Sequence, residues 1–217
     1  MDDYDFIYKI MLFGDDYVGK TSFLERYIED KFTDNPIPTI GVEFRMKTIQ
    51  MKDGKKVRLQ IWDTAGREEF KSILVGYFRR VNGIILFYDI STRESFKNLE
   101  NWLDFIRNNV SKTESPYIFL VGNKIYLEQQ REITTGEGEK FAKEYGLTFF
   151  ESSAKTGKNV DLIFIELVKV MNKDPVFQKI QEKLAIERMK EKKKKEDEEK
   201  KKNIKKNLKI LDKYISF

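Results

Sequence analysis

Along this chain of 217 residues, two hydrophobic periods take turns. Ile7 to Phe13 is mostly apolar, as a strand covered on both faces would be, and Phe23, Leu24, Tyr27 and Ile28 follow at helical spacing. The pattern predicts a first helix over 19–30. An irregular stretch, 31–40, carries two prolines. Val42, Phe44 and Met46 then alternate as in a half-buried strand over 41–51. Asp53-Gly54 is a hairpin turn signal, and Val57, Leu59 and Ile61 alternate on the return strand. Residues 68–80 read as a helix or a loop. Further strands are predicted at 83–90, 117–122 and 147–151. Helices are predicted at 95–109, with Phe96, Leu99, Leu103 and Ile106 on one stripe, at 134–145 and at 160–171.

Strand and helix alternate over most of the length. The expected class is therefore α/β: a six-stranded, mostly parallel sheet with helices on both faces, three layers in all. The hairpin adds one antiparallel edge strand. Ligands of such sheets bind at the carboxyl ends of the strands. Gly14 to Thr21, Asp63, Asn123 and Ser153 all follow predicted strands, so they are expected to converge on one rim.

Composition narrows the chemistry. The absence of Cys excludes disulfides, thiolate metal sites, a cysteine nucleophile and lipid attachment to cysteine on this sequence. The absence of His removes imidazole bases and ligands, so a metal would need oxygen donors, which suits Mg²⁺. No signal-peptide pattern or membrane-spanning run is seen, and the default expectation is a soluble cytoplasmic protein. The net charge of +5 is unevenly shared. Residues 173–217 hold 16 Lys and Arg against 9 Asp and Glu, leaving 25 against 27 for residues 1–172. The basic character belongs to the tail, and the expected division is a globular domain over 1–172 followed by the tail over 173–217.

Gly14-Asp15-Asp16-Tyr17-Val18-Gly19-Lys20-Thr21, followed by Ser22, matches the phosphate-binding pattern G-x-x-x-x-G-K-[ST] between a strand and a helix. Glycines let the backbone aim N–H groups at an anion, and the helix N-terminus adds favourable partial charge. Lys20 can reach β- and γ-phosphates, and the Thr21 hydroxyl can ligate Mg²⁺. A chance glycine-rich turn is the bland alternative, and the strand–loop–helix context argues against it.

Later motifs make the chain resemble the Rab branch of the Ras-like small GTPases, a P-loop NTPase fold, over about residues 5–171. Thr39-Ile40-Gly41-Val42-Glu43-Phe44 looks like the first switch, and Leu59-Gln60-Ile61-Trp62-Asp63-Thr64-Ala65-Gly66 leads into the second. Asn123-Lys124 and Ser153-Ala154-Lys155 look like the guanine-reading elements. The resemblance implies GTP and GDP as ligands with Mg²⁺ held by Thr21, Thr39 and, through water, Asp63. It implies that Lys20 neutralises phosphate charge and that the Gly66 N–H meets the γ-phosphate. Phe32 would pack edge-on to the base, Asn123 would bond it, Lys124 and Lys155 would lie along its faces, and the Ala154 N–H would read its carbonyl. Effectors at the switches, an exchange factor and a GTPase-activating protein are the implied partners, on intracellular membranes.

Three positions depart from that family. Arg67 stands where a Gln orients the attacking water, and a guanidinium accepts no hydrogen bond. It is expected either to be solvated or to lean onto the γ-phosphate; both predict slow intrinsic hydrolysis. Asp16-Tyr17 replaces small residues near the γ-phosphate. Asp16 either faces the phosphates unfavourably or points to solvent. Tyr126 replaces the Asp that accepts two guanine hydrogen bonds, which predicts weaker guanine affinity and relaxed preference among purines unless Glu128 swings in. An alternative reading is therefore a pseudo-GTPase scaffold, and a P-loop ATPase or kinase would leave the later motifs unexplained.

The Lys/Glu-rich tail reads as a solvated helix or disorder. Ile204, Leu208, Leu211 and Ile215, spaced 4, 3 and 4 apart, predict a short basic amphipathic end for an anionic membrane or a partner helix. Without cysteine, membrane contact would be weak. Nucleic acid is not expected as a partner, because few aromatics interleave with the lysines.

Overall fold

The computed structural model describes residues 4–34, 37–111 and 115–215, including only part of the side chains in the C-terminal helix. The chain divides into two compact units between Asp174 and Pro175.

In the first unit, β1 (Phe6–Phe13), β2 (Val42–Gln50), β3 (Lys56–Thr64), β4 (Gly83–Asp89), β5 (Tyr117–Asn123) and β6 (Thr148–Glu151) form one sheet in the order β2-β3-β1-β4-β5-β6. Only the β2–β3 pair is antiparallel, as the hairpin signal predicts. The expected α/β, six-stranded architecture is the observed one.

Alternation in β1 feeds two cores. Met11 and Phe13 join Leu86, Leu103, Trp102 and Leu120 under α4 (Leu99–Asn109) and α5 (Thr135–Tyr145). On the opposite face, Phe23 of α1 (Lys20–Glu29) meets Phe87 at 4.9 Å, and Tyr27 stacks on Phe164 of α6 (Val160–Lys173) at 3.8 Å. β1 lies between β3 and β4, where the winding of the sheet reverses. The loop after β1 thus opens at the topological switch point, where such folds bind ligands.

Two elements differ from the sequence pattern. The helix expected over 95–109 is broken into α3 (Arg93–Lys97) and α4, with Asn98 at the junction. The amphipathic stripe survives the break because Leu99, Leu103 and Ile106 are all fully buried or nearly so. Residues 68–77 are neither one helix nor a plain loop. They are three short turns, Glu68–Phe70, α2 (Lys71–Leu74) and Val75–Tyr77, anchored by fully buried Leu74.

The second unit is α7 (Pro175–Ile215), 41 residues of continuous helix and roughly 60 Å long at 1.5 Å per residue. Ile204 is exposed; the side chains of Leu208, Leu211 and Ile215, on which the amphipathic reading rests, lie outside the described residues. No helix among the described residues is long and apolar enough to cross a membrane.

Candidate functional site

The carboxyl ends of β1, β3 and β5 and the loop after β6 border one cleft of about 270 Å³. Its lining includes Asp16, Tyr17, Gly19, Lys20, Thr21, Ser22, Phe32, Thr39, Gly66, Asn123, Lys124, Tyr126 and Ala154. Motifs spread over about 140 residues of sequence therefore converge as expected.

The phosphate loop is fixed by its surroundings. Gly14 has φ +134°, and a Cβ there would lie 2.4 Å from the Phe87 carbonyl oxygen, so only glycine fits. Buried Lys20 donates to the carbonyls of Gly14 (2.7 Å) and Asp15 (2.8 Å). Burial pulls its pKa down to about 8, opposed by Asp63, Asp16 and Asp15. Val18 is buried behind the loop, and its carbonyl accepts from Asn123 Nδ2 at 2.9 Å. Tyr17 takes φ +61°, a left-handed backbone that costs a side-chain-bearing residue about 1–2 kcal/mol, and its ring is largely exposed.

Thr21, Thr39 and Asp63 meet at one point. The Thr21 and Thr39 hydroxyl oxygens are 2.7 Å apart, and Asp63 Oδ2 accepts from Thr21. Asp63 is fully buried, its Oδ1 has no hydrogen-bond partner, and burial pushes its pKa up to about 6 against the pull of Lys20. A buried carboxylate oxygen without a donor, beside two hydroxyls, is an oxygen-only set that fits a small divalent cation such as Mg²⁺. These three residues could hold one.

At the far end, Phe32 meets Tyr126 edge-on at 6.3 Å and 76°. Asn123 is fully buried and held from both sides, its Oδ1 accepting from Ser152 at 3.1 Å. Lys124 is paired with the buried Asp89 at 2.8 Å. Ala154 lines the cleft while its carbonyl accepts from Arg26 Nε at 2.8 Å. Ser153 is buried, and its Oγ accepts from the Thr156 N–H at 3.0 Å. Lys155 pairs with Asp34 at 2.9 Å and stands 5.6 and 5.3 Å from the ring centres of Phe32 and Tyr126.

Several expectations need correction. Arg67 is half-exposed, and Asp16 does not point unpaired to solvent but is paired with Arg67. Arg67 Nε donates to Asp16 Oδ2 at 2.6 Å. Glu128 is no stand-in for the missing Asp, because both of its oxygens accept from Arg131. The Asp15 side chain turns away from the cleft, accepting from Trp102 Nε1 at 2.7 Å and Asn98 Nδ2 at 2.8 Å. Trp102, Asn98, Asp89 and Ser152 were not among the expected site residues. They lie outside every local motif, and only the fold brings them to the loops they hold.

A model of the Ras family matches residues 9–173. The chain is 44% identical over 168 residues to the Ras-related protein RABE1e of Arabidopsis thaliana, covering 77% of this chain and 76% of that one. It is 44% identical to the Ras-related protein Rab-13 of Bos taurus, covering 76% and 80%. With the GTP-binding protein ypt2 of Schizosaccharomyces pombe, identity is 42% over 80% and 85% of the two chains. Sheet order, cleft geometry and these relatives agree: the chain belongs to the Ras family of small GTPases, in its Rab branch.

Proposed function

We propose that the chain is a Rab-type molecular switch of vesicle traffic that takes GTP or GDP with Mg²⁺ in the cleft after β1 and hydrolyses GTP slowly. The observation that carries this reading is the meeting of Lys20, Thr21, Thr39 and Asp63 at one end of the cleft with Asn123, Ala154 and Phe32 at the other. One end suits a charged polyphosphate and its cation, the other a flat base. Lys20 supplies the buried positive charge, and the loop amides and Gly66 N–H supply donors. The cation, held by Thr21, Thr39 and Asp63, would neutralise charge developing on the phosphates. Thr39 then couples residues 37–41 to the ligand, since its hydroxyl reaches Thr21 and, more loosely, Asp63 at 3.5 Å.

Partners would read the surface beside the cleft. Ile37 and Ile40 are strongly exposed, and Phe44, Trp62 and Tyr77 form an aromatic run with centroid spacings of 4.7 and 5.0 Å. This apolar strip fits effectors, and exchange and activating factors are implied by the family. The tail is proposed to give weak contact with an anionic membrane surface at most.

A titration of the purified full chain with GTP, GDP, ATP and XTP in Mg²⁺ tests the reading. Binding of GTP and GDP over ATP is expected. No binding of any of them at high micromolar concentration would leave a Rab-shaped scaffold in place of a switch.

Hydrolysis has its own test. Arg67 is engaged by Asp16 and has no acceptor with which to orient water. Arg67→Gln is expected to raise single-turnover phosphate release by roughly tenfold, less than a full general-base effect because Asp16 remains. An unchanged rate would move the defect to Asp16.

A further inference from the structure

From Lys190 to Asn203, α7 runs through fourteen consecutive residues of which none is apolar. The sequence holds no glycine or proline after Pro175 and no β-branched residue from Glu187 to Asn203. Lysine and glutamate, which fill most of this stretch, are good helix formers. Every described side chain from Lys193 to Lys202 is exposed. A helix that is polar all round has no stripe to bury, so packing does not account for its continuity here. Propensity alone does not account for it either, because an isolated helix of about this length is marginal in water.

The order of the charges supplies what packing does not. In the sequence, lysines at 192–195 are followed by acids at 196–199 and by lysines at 200–202. Each block is about one helical turn long, so the next block, of opposite sign, lies directly along the axis from it. Among the described residues, Lys193 and Asp197, Lys194 and Glu198, Glu196 and Lys200, Asp197 and Lys201, and Glu198 and Lys202 stand four positions apart with opposite charge. Residues at that spacing are neighbours on a helix surface, and such pairs stabilise the helix, more so where the acid comes first, as in the last three. Lys193, Lys194, Asp197, Glu198 and Lys201 share one shallow patch of that surface. Longer blocks of like charge would repel and open the chain, but no block here exceeds four residues.

We infer that residues 190–203 form a self-supporting charged rod, a spacer that holds the segment 204–215 at a fixed distance, roughly 20 Å along the helix, from the apolar positions that end at Met189. A flexible linker of the same length would let its two ends approach and separate freely. The rod instead fixes the reach to whatever 204–215 touches, and it does so independently of the ligand in the cleft.

The sequence contains no cysteine, so spin labels placed at Glu187→Cys and Ile204→Cys, both exposed positions, report one distance in the full chain. In dilute solution the rod is expected to give a single narrow distribution centred near about 25 Å, the rise over the residues between the labels. A disordered segment of that length has a similar mean, roughly 20–25 Å, but a broad spread, so the width decides. Glu196→Lys, Asp197→Lys and Glu198→Lys together set like charges one turn apart and are expected to widen the distribution about twofold. Reversing the sign of every charge from 191 to 202 keeps the pattern and is expected to restore the narrow distribution. A broad distribution in the natural chain overturns the rod. So does a narrow one that survives the triple lysine change, that the full reversal fails to restore, or that forms only as the protein is concentrated. Packing or self-association, in place of the order of the charges, would then hold the helix.

Discussion

Tyr126→Asp is expected to tighten guanine nucleotide binding by about a hundredfold. The far end of the cleft offers the base two ring edges and several polar groups that are already engaged. Asn123 is held by the Val18 carbonyl and Ser152, Lys124 by Asp89, and Lys155 by Asp34. Guanine presents two adjacent donors, the N1–H and the 2-amino group, and a carboxylate accepts both. Burial raises the Tyr126 pKa, with Lys155 opposing, so its hydroxyl is neutral at physiological pH and accepts at most one of the two without charge assistance. Charge-assisted hydrogen bonds are worth about 1.5–3 kcal/mol each. Subtracting the single neutral bond that tyrosine makes leaves about 3 kcal/mol, or two orders of magnitude. Competition against a fluorescent GDP reads the effect, with IDP as the control because hypoxanthine lacks the 2-amino group. The natural chain should scarcely separate GDP from IDP, and the variant should separate them more than tenfold. Equal affinities before and after the substitution would mean that the residue at position 126 does not limit guanine recognition.

What could be read from the sequence was whatever local periodicity and contiguous motifs encode. The apolar run of β1, alternation in β2 and β3 and the Asp53-Gly54 turn marked strand identity and the antiparallel edge, because the period of side chains across a sheet is fixed by backbone geometry. The phosphate loop announced itself through two glycines, Gly14 required by its packing against Phe87 and Gly19 by the closeness of Asn123. Side-chain partnerships were another matter. Asp16 and Arg67 are 51 residues apart, and each looked like an isolated defect until the sheet brought them within 2.6 Å. Asp15 looked like a pocket residue by its place in the motif. Whether its carboxylate faced in or out depended on Trp102, which is 87 residues away on α4. The break at Asn98 was invisible for a similar reason: the apolar stripe runs through it, and the polar residue at the junction faces Asp15.

Lys20→Met is expected to weaken nucleotide binding by about a thousandfold while changing the stability of the nucleotide-free protein far less. Methionine keeps most of the volume and removes the charge. At about 4 Å and an effective dielectric near 20, one unit charge pair is worth about 4 kcal/mol, and phosphate binding loses interactions of that order. Stability without ligand receives two opposing contributions. The Gly14 and Asp15 carbonyls lose a donor, at about 1 kcal/mol each. Against this, the chain no longer buries an ammonium whose pKa burial has already dragged to about 8. A lysine that merely braced the loop would show the reverse ordering, with a large stability loss and a proportionate loss of binding. The pH dependence separates the cases further. Below about pH 8 the lysine is already charged and binding needs no proton. Above it, binding of an anion must draw a proton onto Lys20, so affinity should fall about tenfold per pH unit until the ordinary lysine range is reached. In Lys20→Met that slope should vanish. Titrations of both proteins from pH 6 to pH 10 would read it, and a variant that binds within tenfold of the natural chain, or keeps the slope, would remove Lys20 from the phosphate site.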